Sequence, residues 1–199
     1  RVNNIVDCSL RPMWHGNIAF ARTRVARNDT TTISLTKNTN NIRIVLQSLD
    51  DHLKVDVKDF SFLLESVNGK CNAHNELVVQ DCWYYRPYYT ANDNDAGAIA
   101  ELHTLRFMND RENRLKINQT ANNKTTTLMD INLNKYINAL KLQEYSSMPL
   151  QEFLDREDDY KIIIFITENT ESPELGRWLI AQISINSWIV RDQGGVVID

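Results

Sequence analysis

The chain has 199 residues, with 22 Lys and Arg against 26 Asp and Glu, a formal net charge of −4, 42% hydrophobic and 24% charged residues. This is an ordinary globular composition, enough for one large β domain or two small ones with a buried core. The acidic balance argues against nucleic acid as a partner, because phosphate binding needs a basic excess, and no apolar run approaches the ~18 residues of a membrane-spanning helix.

Residues 1–31 lack a core of their own. The chain opens on Arg1 in mid-pattern, so it reads as a processed or truncated piece, with any address signal or lipid anchor outside it. Trp14-His15-Gly16-Asn17-Ile18-Ala19-Phe20 and the following 21–27 read as the last strand and linker of a preceding domain. Polar turn formers at 28–32 mark the boundary, leaving 32–199 as the main domain.

From there alternation dominates. Ile42, Ile44 and Leu46 share one face of a strand over 41–47, and Phe60, Phe62 and Leu64 share one face of another over 60–66. Asn68-Gly69 follows, the strongest short hairpin signal, and predicts pairing of 60–66 with a strand at 76–80. Two more short strands are expected at 102–108 and 114–118, with a polar turn at 110–113. Leu133, Tyr136, Ile137 and Leu140 recur at helical spacing. A second short helix is expected with Ser147 as N-cap, Pro149 in its first turn, and Leu150, Phe153 and Leu154 inward. Residues 160–167, a β-branched run, read as a strand buried on both faces. The Pro- and Gly-containing 168–176 turns, and 177–190 returns as one long strand. The pattern predicts a mainly-β sandwich of Greek-key character with one or two short helices on a connection.

Catalytic patterns are scarce. The run Asp155-Arg156-Glu157-Asp158-Asp159 is the best candidate for a hard cation or acid–base pair, but it lacks calcium-loop spacing and reads as a solvated turn with Arg156 paired internally. Six Gly form no phosphate loop, and the three Cys and four His show no zinc spacing. Cys71 and Cys82 flank the strand expected at 76–80, which would hold them roughly 17 Å apart; either the flanks fold back into a disulfide or both remain buried or free thiols. A Cys82/His pair need not be close in sequence, but nothing in the pattern supports one, and a non-catalytic thiol is the expected reading. No enzyme, cofactor or metal is expected.

The remaining oddity is 82–97, where Trp83, Tyr84, Tyr85, Arg86, Tyr88 and Tyr89 precede an Asx-rich loop at 91–97. These side chains are the candidate ligand or interface residues: aromatic rings stack on sugars and anchor interfaces. The competing reading has alternate rings capping the sandwich, with Arg86 over an aromatic face.

The order of several elements resembles a known family. The Asn-Gly signal, Tyr85-Arg86-Pro87-Tyr88, the strand Leu102-His103-Thr104-Leu105-Arg106-Phe107-Met108, the helix entry at 130–137, Phe153-Leu154-Asp155-Arg156-Glu157-Asp158-Asp159-Tyr160 and Ile185-Asn186-Ser187-Trp188 follow one another as in the C-terminal domain of FimB/Mfa-type fimbrillin-like proteins, the minor and anchor subunits of Bacteroidales type V fimbriae. Met13-Trp14-His15-Gly16 resembles an element near the end of that family's N-terminal domain, and Ser187 stands where its pattern has Gly. The resemblance implies two transthyretin-like β-sandwich domains, this chain holding the tail of the first (1–31) and the second (32–199). It implies an exported structural subunit at the cell surface or outer membrane, the latter through an N-terminal lipid anchor. Such a subunit supports fimbria assembly and adhesion, and it joins other fimbrial subunits by strand addition. It implies neither cofactor nor active site. A different class, a surface carbohydrate-binding module using the aromatic cluster 83–89, is the alternative.

Overall fold

The computed structural model describes residues 4–18, 31–78, 81–93 and 97–192. In chain order its elements are β1 (Ile5–Val6), β2 (Trp14–His15), β3 (Thr36–Lys37), β4 (Thr39–Ser48), β5 (Phe60–Ser66), β6 (Trp83–Tyr85), β7 (Tyr89–Asp93), β8 (Gly97–Leu105), β9 (Asn113–Ala121), β10 (Lys124–Asn132), α1 (Leu133–Glu144), α2 (Leu150–Arg156), β11 (Asp159–Glu168), β12 (Trp178–Ile185) and β13 (Trp188–Asp192). The expected sandwich is present. A five-stranded sheet runs β1-β6-β5-β9-β10, a six-stranded sheet runs β13-β12-β11-β4-β8-β7, and β2 pairs β3 in a small ribbon. The chain crosses repeatedly between the two large sheets, and α1 and α2 carry the last crossing.

Alternation in β4, β8 and β11 supplies one wall of the core. Ile42, Ile44, Leu46, Ala100, Leu102, Ile162, Ile164 and Ile166 are almost wholly buried, as are Leu64, Tyr85, Leu115 and Ile117 opposite them. Burying each large aliphatic side chain contributes about 1.5–3 kcal/mol. β4 and β11 are parallel in constant register, Asp159 beside Asn41 through Ile166 beside Ser48. A parallel pair demands a long crossover, and here β5, β6, β9 and β10 of the five-stranded sheet, together with β7, β8 and both helices, lie between them in the chain. Gln119 in β9 ties the layers together: its amide donates to Trp178 O at 2.9 Å and accepts from Trp178 N at 2.7 Å.

α1 forms on the expected face, with Leu133, Ile137 and Leu140 buried and Tyr136 packed beside them. Asn132 caps it through Oδ1, which accepts from Asn134 N at 3.1 Å. The buried Lys141 donates to Met148 O at 2.7 Å, holding the turn into α2. α2 buries Phe153 and Leu154 as expected, but its N-cap is Pro149, not Ser147. Among the described residues no helix is long and apolar enough to cross a membrane.

Several expectations are corrected. Asn68-Gly69 is not a hairpin turn: β5 pairs with β6 and β9 instead. The strand expected at 76–80 is reduced to one bridge, Cys71 with Leu77, and residues 79–80 lie outside those described. The long strand at 177–190 is two strands, β12 and β13, folded antiparallel about Asn186 and Ser187, whose φ values are 48° and 73°. β10, not anticipated, pairs with β9 across a similar turn at Asn122 and Asn123. β11 is buried on one face only, because its other face (Lys161, Ile163, Phe165) is the outside of the sandwich. The loop expected at 91–97 is shorter, since β7 runs to Asp93 and β8 begins at Gly97. The boundary at 28–32 falls largely outside the described residues. Residues 4–15 also hydrogen-bond to this sandwich, which is compatible with a preceding domain's tail packing on it: Tyr84 N donates to Asn4 O at 2.8 Å and Asn38 N to Met13 O at 2.7 Å.

Candidate functional site

The aromatic stretch is a crossover. β6 belongs to the five-stranded sheet and β7 to the six-stranded sheet, so Arg86, Pro87 and Tyr88 carry the chain from one layer to the other. Its rings therefore separate. Tyr85 faces inward and is fully buried, its hydroxyl donating to Asn68 Oδ1 at 2.5 Å. Burial pushes that phenol well above its ordinary pKa. Asn68, itself buried, donates to Leu105 O at 2.9 Å and Arg106 O at 3.1 Å. Trp83 is half-buried over Gly69, where a Cβ would collide with the indole. This inward half is a polar plug with aromatic walls.

The outward half divides between opposite faces. Tyr84, opposite Glu65, lies on the outside of the five-stranded sheet. Tyr88 lies on the outside of the six-stranded sheet, and Tyr89 is exposed in its edge strand β7. Arg86 is exposed, its backbone N–H donating to Val6 O at 2.8 Å. It does not cover an aromatic ring as expected; among the described residues the cation–π pair is Arg177 over Trp178, at 4.8 Å.

Tyr88 opens onto a cleft of about 570 Å³ on the outside of the six-stranded sheet, bordered by Arg43 of β4, Glu101 and His103 of β8, and Asp159 and Lys161 of β11. Strand pairing sets this cluster: Arg43 is opposite Glu101, Asn41 opposite His103 and opposite Asp159, and Lys161 opposite Arg43. Because β side chains alternate, the same register that buries Ile42, Ile44, Leu102 and Ile162 turns these charged residues outward. Arg43 Nη1 donates to Glu101 Oε1 at 2.6 Å, and Tyr88 Oη donates to Glu101 Oε2 at 3.2 Å. The Tyr88 and His103 rings are 4.6 Å apart, tilted by 56°. His103 Nδ1 accepts from Leu10 N at 2.7 Å, which places the neutral ring's proton on Nε2. Burial lowers the His103 pKa, outweighing the pull of Glu101 and Asp159. Leu10 and Pro12 form the apolar rim.

A second cleft of about 580 Å³ lies between the β2–β3 ribbon and the loops at 74–77 and 106–111. It holds His15, bonded to Ala73 O at 2.9 Å, and His74, bonded to Asn17 at 3.2 Å.

The acidic run is dispersed into pairs. Asp155 receives two 2.7 Å bonds from Arg106, Arg156 pairs with Glu152 one turn earlier, Asp158 with Lys37, and Asn41 donates to Asp159. Among the described residues no group of three or more His, Cys, Asp or Glu is placed to hold a metal. Cys71 and Cys82 are free, the first exposed and the second half-buried. Desolvation by neighbouring protein atoms pushes both thiols up, opposite to what a nucleophile needs. Sequence reading picked out Tyr88, and Asp159 only as part of the acidic run, but not Arg43, Glu101 or Lys161. The usable signal was the polar half of each alternating strand.

This is a two-layer β module whose six-stranded sheet carries on its outer face a cleft with charged side chains and one aromatic wall. The chain belongs to the family of fimbrillin-A associated anchor proteins Mfa1 and Mfa2, whose model matches residues 1–194. Among solved structures, a proposed polysaccharide-binding protein from Bacteroides thetaiotaomicron is 30% identical, with a TM-score of 0.79 over 97% of this chain and 64% of that one. A proposed adhesin from the same organism is 32% identical, with a TM-score of 0.67 over 81% of this chain and 54% of that one. The fimbrial anchor protein Mfa2 from Porphyromonas gingivalis shares the fold at 19% identity, with a TM-score of 0.62 over 80% of this chain and 50% of that one. This chain thus spans about half to two thirds of the length of these solved relatives. No curated protein matches it.

Proposed function

We propose that the chain is part of an anchor or accessory subunit of a surface fimbria, acting in assembly and adhesion and not as an enzyme. The observation that carries this is the family match over 1–194. On this reading residues 1–31 are the tail of a preceding domain that closes onto the sandwich of 32–199, and attachment to the outer membrane comes through a lipid anchor upstream. Other fimbrial subunits join by strand addition at an open edge. β1, β7, β10 and β13 are the edge strands of the two large sheets, and the longer three, β7, β10 and β13, support it, since an edge carries a row of amides a partner strand can satisfy. Tyr89, exposed in β7, and Tyr84 are contact residues in such assembly. Deleting the gene is the test. Altered fimbrial length, attachment or shedding is expected, and fimbriae normal in all three would refute the proposal.

A second reading, surface carbohydrate binding, is favoured by the outward cleft at Tyr88 and by the 30% identical relative proposed to bind polysaccharide. Retention of the purified chain in polysaccharide-loaded gels tests it.

A further inference from the structure

We propose that the cleft on the outer face of the six-stranded sheet is a binding site for a neutral hexose-containing glycan, with Tyr88 as its platform and Arg43, Glu101, Asp159 and Lys161 as hydroxyl partners. The inference rests on the carbohydrate-binding reading and gives it a place on the molecule. Four observations carry it.

The first is rigidity. The polar side chains stand on β4, β8 and β11, three adjacent strands in the body of the sheet, which fix their spacing better than loops would. The second is the aromatic wall. Tyr88 is held at both ends, its backbone N–H donating to Glu101 O at 3.0 Å and its hydroxyl to the Glu101 carboxylate, while its ring lies against His103. A ring held this way offers a surface for the C–H face of a sugar, with Leu10 and Pro12 extending the apolar contact.

The third is charge balance. Arg43 and Lys161 oppose Glu101 and Asp159, and burial lowers the His103 pKa, while its Nδ1 accepts the Leu10 N–H. An anionic ligand meets two carboxylates here and a cationic ligand meets two cations. A polyol, whose hydroxyls both donate and accept, finds partners of either kind. The fourth is position. β4, β8 and β11 are each paired on both sides, so the strands that floor the cleft are not open for strand addition. Its volume, about 570 Å³, falls in the range of small-ligand sites.

The test is titration of the purified chain with mannan, dextran, galactan and their component hexoses, followed by NMR and calorimetry, with heparin and polylysine as charged controls. Binding to at least one neutral glycan is expected, weakened about tenfold or more by Tyr88→Ala and by Glu101→Gln. Tyr84→Ala, on the opposite face, leaves it unchanged. Melting temperatures of the variants show that each is folded, and Tyr88→Phe, which keeps the ring, retains most of the affinity. Binding that survives Tyr88→Ala and Glu101→Gln overturns the site while leaving the carbohydrate reading intact. Binding to none of the neutral glycans overturns both, and a Tyr88-dependent preference for heparin or polylysine overturns the neutral ligand class. None of these outcomes touches the fimbrial assignment, which the deletion experiment decides.

Discussion

Asn68-Gly69 and Asn186-Ser187 are similar dipeptides at the ends of strands, and the molecule uses them for opposite purposes. Asn186-Ser187 reverses the chain between β12 and β13 with φ positive at both positions, a conformation in which a residue with a Cβ is strained. Asn68-Gly69 reverses nothing. Asn68 is turned into the core, where it holds the Tyr85 hydroxyl and two carbonyls, and Gly69 leaves room for the Trp83 indole. Glycine thus stands where space requires it, and serine stands where conformation would favour glycine.

Substitutions sharpen this contrast. The largest effect is expected from Asn68→Ala, which strands the buried Tyr85 hydroxyl and the Arg106 carbonyl, while Leu105 O keeps its bond from Asn40. A loss of about 3 kcal/mol, or roughly 6–12 °C in melting temperature, is expected by calorimetry. Gly69→Ala comes next at about 2 kcal/mol, since Trp83 must leave its position; an unchanged melting temperature would show that the indole moves aside without cost. Tyr85→Phe keeps the ring and removes one hydrogen bond, with an expected loss of about 1 kcal/mol. Ser187→Gly runs the other way and gains roughly 0.5–1 kcal/mol by removing left-handed strain. If Gly69→Ala stabilised and Ser187→Gly destabilised the fold, the two roles would have to be exchanged.

The smallest effect concerns pH. The folded-state pKa of His103 is depressed, so the unfolded chain binds its proton first as pH falls through the ordinary histidine value of 6.5. Stability contributed at this position is present above that value and lost below it, as protonation of Nδ1 removes the acceptor for Leu10 N. Glu101, Asp159 and Lys37 are the charged groups acting on the ring. Melting temperature between pH 7 and pH 5 is therefore expected to fall less steeply in His103→Gln than in the parent chain.

Much of the fold was legible because its strands obey simple periodicity. β4 and β5 alternate cleanly, β11 is a β-branched run, and the apolar stripe of α1 recurs at helical spacing. β10 escaped because Lys124-Thr125-Thr126-Thr127 shows no alternation, as suits an edge strand that buries little. The second helix was placed from Ser147, but Pro149 sets its start. Asn68 escaped for a different reason: hairpin chemistry is local, whereas its partners at 85, 105 and 106 are supplied by the tertiary fold. The aromatic stretch looked like one surface because its residues are neighbours in sequence, yet the crossing at Pro87 sends Tyr84 and Tyr88 to opposite sides. The cleft beside Tyr88 was hidden conversely, since Arg43, Glu101 and Lys161 meet only through the pairing of β4 with β8 and β11.

The parallel pairing of β4 with β11 has a mechanical consequence. β12 runs against β11 and β13 against β12, so β4, β11 and β13 all point the same way. Tension entering at Thr39 and leaving at Asp192 would act along these strands, straining their hydrogen bonds side by side in shear rather than unzipping them singly. A domain wired this way stays shut while being pulled, and the force needed to extend it should rise steeply before a single abrupt rupture.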